Sequence, residues 1–82
     1  MHINTPKDLA AYCKYQRKKQ KLTQTQLGKK VGLRQSTVSA FESYPDASKI
    51  STLFRLLSAA NLELQIKPKT DSLTSEHWQE EW

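Results

Sequence analysis

The chain has 82 residues, which is enough for one domain with one hydrophobic core and leaves no room for a second folded domain. Hydrophobic residues make up 37% of it, so a core can form, although a chain this short often depends on a partner subunit. No segment approaches the ~20 apolar residues of a membrane span, and none resembles a signal peptide. We therefore expect a cytoplasmic protein with no membrane partner.

The charges divide the chain into a basic body and an acidic tail. All 13 Lys and Arg residues lie in residues 1–69, together with four acidic residues, which gives a net charge of +9. Residues 70–82 contain four acidic residues and no basic one. A basic body suits a polyanion such as DNA, and an ordinary solvated surface is the alternative interpretation.

The first predicted helix begins after Thr5 and extends to about Gln20. Thr5 is a favourable N-cap, Pro6 suits the first helical position, and Asp8 places an acidic group in the first turn. Cys13 falls on the inward face and is expected to be a small core residue. Together with His2 and His77 it forms no metal-ligand spacing, so we expect neither a metal nor a cofactor.

Two short helices follow. Thr23 caps the first of them, and Gly32 ends it because glycine readily adopts the left-handed conformation found at helix C-termini. The next helix covers residues 34–43 and is broken at Pro45. The side chains expected to face the core are Leu27, Val31, Val38 and Phe41.

Ser48 is the predicted N-cap of a fourth helix that ends near Asn61. Helical spacing gives this helix the most apolar face in the chain, formed by Ile50, Leu53, Leu56 and Leu57. The period then changes to two, which is typical of a half-buried strand.

This strand would present the alternating side chains Leu62, Leu64 and Ile66. No other segment resembles a mate for it, so we expect it to pair with the same strand of a second copy in an intersubunit two-stranded sheet. An extended segment that covers the chain's own core is the alternative. The predicted fold is a mainly α, compact helical bundle to which each subunit adds this one strand.

Residues 24–42 have the spacing of a helix-turn-helix. Gly28 provides the tiny residue that two closely crossing helices need, and Gly32 provides the turn, while the apolar residues between them hold the helices together. In such a unit the second helix begins at the DNA backbone and the third lies in the major groove of double-stranded DNA.

The run from Leu22 to Glu42 resembles the phage-repressor (Cro/C1-type) family, and the resemblance covers residues 7–61. It implies that Gln24 binds phosphate, that Gln35 reads a base, and that Arg17 and Glu42 form a structural ion pair. A glutamine amide matches the N6 and N7 atoms of adenine. Position 28 departs from the family, which usually has alanine there. The remaining candidate DNA-binding residues are Thr25, Arg34, Ser36, Thr37 and Ser39.

The segment from Leu62 to Ile66, the Pro45-Asp46 loop and the ending Glu81-Trp82 resemble the HipB antitoxins. The resemblance implies a homodimer that binds palindromic operators in its own promoter and captures a HipA-like serine/threonine kinase toxin. Residues 1–69 would then form the DNA-binding and dimerisation domain, and residues 70–82 a flexible acidic tail. In that tail Trp78 and Trp82 are the expected anchors for the partner, because exposed tryptophans are suited to filling a pocket.

An enzyme is disfavoured, because the sequence contains no nucleophile with a base, no carboxylate pair and no phosphate-cradling glycine loop. Two other binding functions stay open. The chain could be a stand-alone phage-type repressor without a toxin, or a helix-turn-helix module that contacts protein or RNA. A stand-alone repressor should not depend on the tail for a partner, so the effect of deleting the tail separates it from an antitoxin. A module that contacts protein or RNA should show no preferred DNA sequence, so sequence-dependent binding to a palindrome excludes it.

Overall fold

The computed structural model describes residues 2–69, which form four α-helices and a short C-terminal segment without regular structure. The predicted mainly α bundle with a helix-turn-helix is confirmed. No helix in this part of the chain is long and apolar enough to cross a membrane. The helices are α1 (Pro6–Lys19), α2 (Gln24–Lys29), α3 (Gln35–Ser43) and α4 (Ile50–Ala59), with a 3-10 turn at Pro45–Ala47.

Side-chain caps begin α1 and α2 where the sequence predicted them. The N–H of Asp8 donates to the hydroxyl oxygen of Thr5 over 3.0 Å. In α2 the N–H of Gln26 donates to the Thr23 hydroxyl over 3.0 Å, and the Thr23 N–H donates back to the Gln26 side chain over 2.8 Å. This reciprocal pair is a capping box, so both starts are fixed by local hydrogen bonds worth about 1 kcal/mol each.

The predicted start of α4 is wrong. Its N-cap is Lys49, no side chain caps it, and Ser48 instead closes the 3-10 turn by donating its N–H to the Pro45 carbonyl over 3.0 Å. Ile50, predicted to face the core, is 71% exposed. The turn occupies the residues that would have formed the cap, so Ile50 stands in the first turn of α4, at the edge of the helix packing.

Three connections contain a residue in the left-handed region. Gly32 has φ of 70°, as predicted, and Lys21 and Asn61 have φ of 60° and 59°. Glycine adopts this conformation without steric cost, whereas a residue with a side chain loses roughly 1–2 kcal/mol. Asparagine is one of the few side chains found there routinely, so Lys21 is the unusual member of the three.

The core is centred on α3, which packs against α1 and α2, while α2 also contacts α4. Val38 is completely buried, as predicted for this helix. Cys13 is also buried, which confirms its expected place in the core. The other buried apolar residues are Ala10, Leu27, Phe41, Leu56, Leu57, Ala59 and Ala60. Val31 and Leu53, expected inside, are partly buried at the edge of this cluster.

The three residues expected in the intersubunit strand lie in the segment after α4 and differ in burial. Leu62 is half-buried against the chain's own core, and its N–H donates to the Leu57 carbonyl over 2.8 Å. Leu64 and Ile66 are 42% and 89% exposed. Within residues 2–69 the segment has no strand partner, so pairing with a second copy stays a prediction. The predicted tail, with Trp78 and Trp82, lies outside the described residues.

Candidate DNA interface

Gly28 lies at the close crossing of α2 and α3. A Cβ atom there would lie 2.5 Å from the Leu33 carbonyl oxygen and 3.2 Å from a methyl group of Val38. The same close approach lets the Leu33 N–H donate to the Gly28 carbonyl over 2.9 Å. This backbone hydrogen bond holds the turn between α2 and α3.

The outward face of α3 is lined with short side chains. Gln35 and Ser36 are exposed, whereas Thr37 and Ser39, predicted beside them, are half-buried. Arg34 is the exposed N-cap residue and its side chain makes no cap hydrogen bond. Ala40 and Ser43 are also exposed on this helix, and their spacing from Ser36 places all three on one face. Neither was among the DNA-binding residues predicted from the sequence.

Gln24 and Gln35, expected to bind phosphate and base, lie in direct contact. The side-chain amide nitrogen of Gln35 donates to the side-chain oxygen Oε1 of Gln24 over 2.6 Å. The side-chain nitrogen Nε2 of Gln24 in turn donates to the Glu42 carboxylate over 3.0 Å. Gln24 is half-buried, and Thr25 beside it in α2 is exposed. The first turns of α2 and α3 therefore present their polar side chains on one side of the molecule.

Glu42 connects these glutamines to α1 through the ion pair that the resemblance implied, which the structure confirms. Its carboxylate accepts from the Arg17 Nε over 2.7 Å and from Nη2 over 3.0 Å. The third guanidinium nitrogen donates to the Leu22 carbonyl over 2.8 Å. The side chains of Arg17 and Glu42 are only 8% and 4% exposed, so they form a buried bidentate ion pair.

Cys13 lies close enough to this ion pair to experience its charge. Burial raises the pKa of the Cys13 thiol from 9.0 to about 11, and the negative charge of Glu42 contributes in the same direction. A thiol with this pKa stays protonated at neutral pH and is a poor nucleophile. Cys13 is thus a core residue and not a reactive centre.

Three exposed basic residues lie in or beside α2 and α3: they are Lys29, Lys30 and Arg34. Among residues 2–69, the ion pair between Arg17 and Glu42 is the only one within 4 Å. In that same part of the chain, no three His, Cys, Asp or Glu side chains come together as a metal site would require. The surface therefore offers unpaired cations and short hydrogen-bonding groups, which suits a phosphate backbone flanking exposed base edges.

The geometry of α2, its turn and α3 defines a helix-turn-helix protein. The family model described as Helix-turn-helix matches residues 14–66. This range includes the Gly28 crossing, the paired glutamines and Arg17.

Two curated relatives are antitoxins. Antitoxin HipB of Escherichia coli K12 is 36% identical over 64 residues, covering 78% of this chain and 73% of that protein. Antitoxin HipB of Escherichia coli O6:H1 is also 36% identical over 64 residues, covering 78% and 68%. The chain belongs to the HipB family of helix-turn-helix antitoxins.

Solved structures of HipB have the same fold. One is described as a HipA-HipB-O2-O3 complex, with a TM-score of 0.83, 33% identity, and coverage of 85% of this chain and 99% of that one. Another, a HipB-O4 20mer complex, has a TM-score of 0.82, 33% identity and the same coverage. The similarity extends well beyond residues 24–42.

Proposed function

We propose that this chain is a DNA-binding antitoxin that acts in the cytoplasm as a homodimer. In this proposal it represses its own toxin-antitoxin operon by binding a palindromic operator, and it binds a HipA-like serine/threonine kinase toxin. Its role is binding and not catalysis. The solved HipB complexes with O2, O3 and HipA support both kinds of partner, and they favour an antitoxin over a stand-alone repressor.

The contact between Gln24 and Gln35 carries the DNA-binding part of the proposal. With α3 in the major groove, Gln35 would read a base edge and Gln24 would bind a phosphate, because their side chains occupy the first turns of adjacent helices. Arg34 and Ser36 are exposed on either side of Gln35 and would approach bases or phosphates. Contacts from Thr25, Thr37 and Ser39 would complete the interface.

The experiment that tests this part is a titration of the purified chain with duplex DNA from upstream of its own gene. A scrambled duplex of equal length serves as the control. We expect binding at least roughly 1,000-fold tighter to the upstream duplex, since specific and nonspecific affinities of such proteins differ by that factor or more. Equal affinities for the two duplexes would contradict an operator-binding function and favour a protein-interaction module.

A second copy of the chain would cover the apolar surface at the end of α4. Phe54 in α4 is 54% exposed, and Leu64 and Ile66 in the following segment are 42% and 89% exposed, which leaves three large apolar side chains in water. A shallow pocket lined by Phe54, Leu57, Leu62 and Leu64 lies among them. Paired strands with Phe54 beside them would bury this surface and hold two recognition helices for the half-sites of a palindrome.

Sedimentation of variants tests this interface. Ile66→Asp and Leu64→Pro should each give a smaller species, because the first places a charge in the interface and the second removes a ladder hydrogen bond. Ile50→Asp is a matched control, since Ile50 is also an exposed isoleucine but lies at the other end of α4. An unchanged dimer in both test variants would exclude this surface as the interface.

The acidic tail would bind the toxin. Its four carboxylates would be repelled by DNA phosphates, whereas Trp78 and Trp82 are side chains typical of interface anchors. Replacing Trp82 with Ala should weaken the complex with the kinase encoded beside this chain by about 1–3 kcal/mol and leave DNA binding unchanged. Calorimetry measures both affinities, and equal kinase binding by the two forms would reject the tail as the contact.

A further inference from the structure

Lys21 occupies a backbone position where lysine is an unfavourable residue. It connects α1 to α2 with φ of 60°, whereas the other two left-handed positions of residues 2–69 are held by Gly32 and Asn61. A long side chain with a Cβ atom is strained in this conformation. A side chain kept in a strained conformation that folding does not require indicates a functional role for that side chain.

The end of α4 shows that the fold does not need lysine here. At Lys21 the chain closes α1 with a hydrogen bond from the Leu22 N–H to the Arg17 carbonyl over 3.1 Å. At Asn61 it closes α4 with the equivalent bond, from the Leu62 N–H to the Leu57 carbonyl over 2.8 Å. The two φ values differ by one degree, so asparagine is compatible with the same motif at position 21.

The charge of Lys21 has no structural partner among the described residues. It is exposed and forms no ion pair there. A cation near a helix C-terminus also interacts with the helix dipole, but α1 already has Arg17, Lys18 and Lys19 in its last turn. A fourth cation adds little to that effect.

Lys21 lies three residues before Gln24, in the loop that leads into the DNA-facing end of α2. Among helix-turn-helix variants, the loop between the first two helices of homeodomains contacts the DNA backbone. We propose that Lys21 binds a backbone phosphate, and that its unfavourable conformation is retained for this contact. The inference rests on the proposed DNA-binding function.

The test compares Lys21→Asn with the wild type in three measurements. These are the affinity for the upstream duplex, the affinity for a mixed-sequence duplex, and the melting temperature without DNA. We expect both affinities to fall by a similar factor, because a phosphate contact carries no sequence information. The slope of log K against log salt should become shallower by about 1 per protomer, and the melting temperature should stay equal or rise.

Two further variants define the outcome. Lys21→Arg keeps the charge and should keep the salt slope. Lys7→Gln removes an exposed charge from the opposite end of α1, roughly 20 Å away, and should change the slope much less. Unchanged affinity and slope in Lys21→Asn, an equal loss in Lys7→Gln, or a lower melting temperature with an unchanged slope would each overturn the inference. If the wild type binds neither duplex, the proposed function itself fails.

Discussion

The side-chain amide of Gln35 donates a 2.6 Å hydrogen bond to the side-chain oxygen of Gln24, eleven residues earlier in the chain. The bond joins the first turn of α3 to the first turn of α2. Because Gln24 also donates to the buried Glu42, both glutamine side chains are held by hydrogen bonds within the protein. These bonds restrict the side-chain conformations of both glutamines in the free protein, which would lower the entropic cost of the proposed contact with DNA.

We predict that Gln35→Ala weakens binding to the upstream duplex by roughly 1–3 kcal/mol and hardly affects binding to a scrambled duplex, because a base contact carries sequence information. Gln24→Ala should weaken both, since it would remove the proposed phosphate contact and also breaks the hydrogen bond that holds Gln35. Fluorescence titrations measure these affinities, with Gln16→Ala on α1 as a glutamine control. Equal losses on both duplexes for Gln35→Ala would show that its side chain reads no base.

Removal of Glu42 should be strongly destabilising. Glu42→Ala leaves the Arg17 guanidinium buried without its carboxylate, a change that typically costs about 3–5 kcal/mol. Urea unfolding measures the loss, and Asp46→Ala, which removes an exposed carboxylate, should change stability by less than about 0.5 kcal/mol. The double variant Arg17→Met with Glu42→Leu should cost less than Glu42→Ala, and a larger cost would contradict this explanation.

Gly28→Ala should destabilise the fold, although alanine favours helix by about 1 kcal/mol. The new Cβ would lie 2.5 Å from the backbone oxygen of Leu33, so the crossing of α2 and α3 must widen. Overpacking of this kind typically costs about 1–3 kcal/mol. Thermal unfolding measures the effect, and a higher melting temperature in Gly28→Ala would show that α2 and α3 can move apart without a loss of stability.

The Cys13 thiol should make stability depend on pH in the alkaline range. Its pKa is about 11 in the folded chain and near 9.0 when unfolded, so the unfolded state releases the proton first as pH rises. The stabilising contribution of the protonated Cys13 thiol to the free energy of unfolding is fully present below pH 9.0 and is lost between pH 9.0 and about 11. Urea unfolding gives the free energy of unfolding of wild type and Cys13→Ala at each pH, and the difference between the two should shrink across this range. A difference that stays constant with pH would exclude Cys13 as the cause.

Local hydrogen-bonding signals were sufficient to predict several elements. Thr5, Thr23 and Gly32 each act through atoms within a few residues, so their roles could be deduced from sequence. Ser48 was misassigned because a serine before a helix and a serine closing a 3-10 turn have the same local sequence. Ile50 has helical spacing from the core residues of α4, but spacing does not specify how far the neighbouring helices extend over its first turn.

The individual site residues were predictable from the helix-turn-helix spacing, but their connections were not. The contacts of Gln24 with Gln35 and Glu42 depend on how closely α2 approaches α3, which is determined by the Gly28 crossing in three dimensions. The exposed Ala40 and Ser43 were overlooked because small side chains give a weak functional signal. Their exposure depends on which face of α3 the core leaves uncovered.

The buried ion pair also determines how the side-chain amides of Gln24 and Gln35 are oriented. A carboxylate bound to a guanidinium can only accept, so Gln24 must turn its NH₂ group toward Glu42 and its oxygen toward Gln35. Gln35 must then use one N–H on Gln24, which leaves its oxygen and its second N–H for a ligand. One acceptor beside one donor is the complement of adenine and the wrong pattern for guanine, whose major-groove edge offers two acceptors. In the proposed interface, a carboxylate in the protein interior would thus fix the orientation in which the Gln35 amide meets a base.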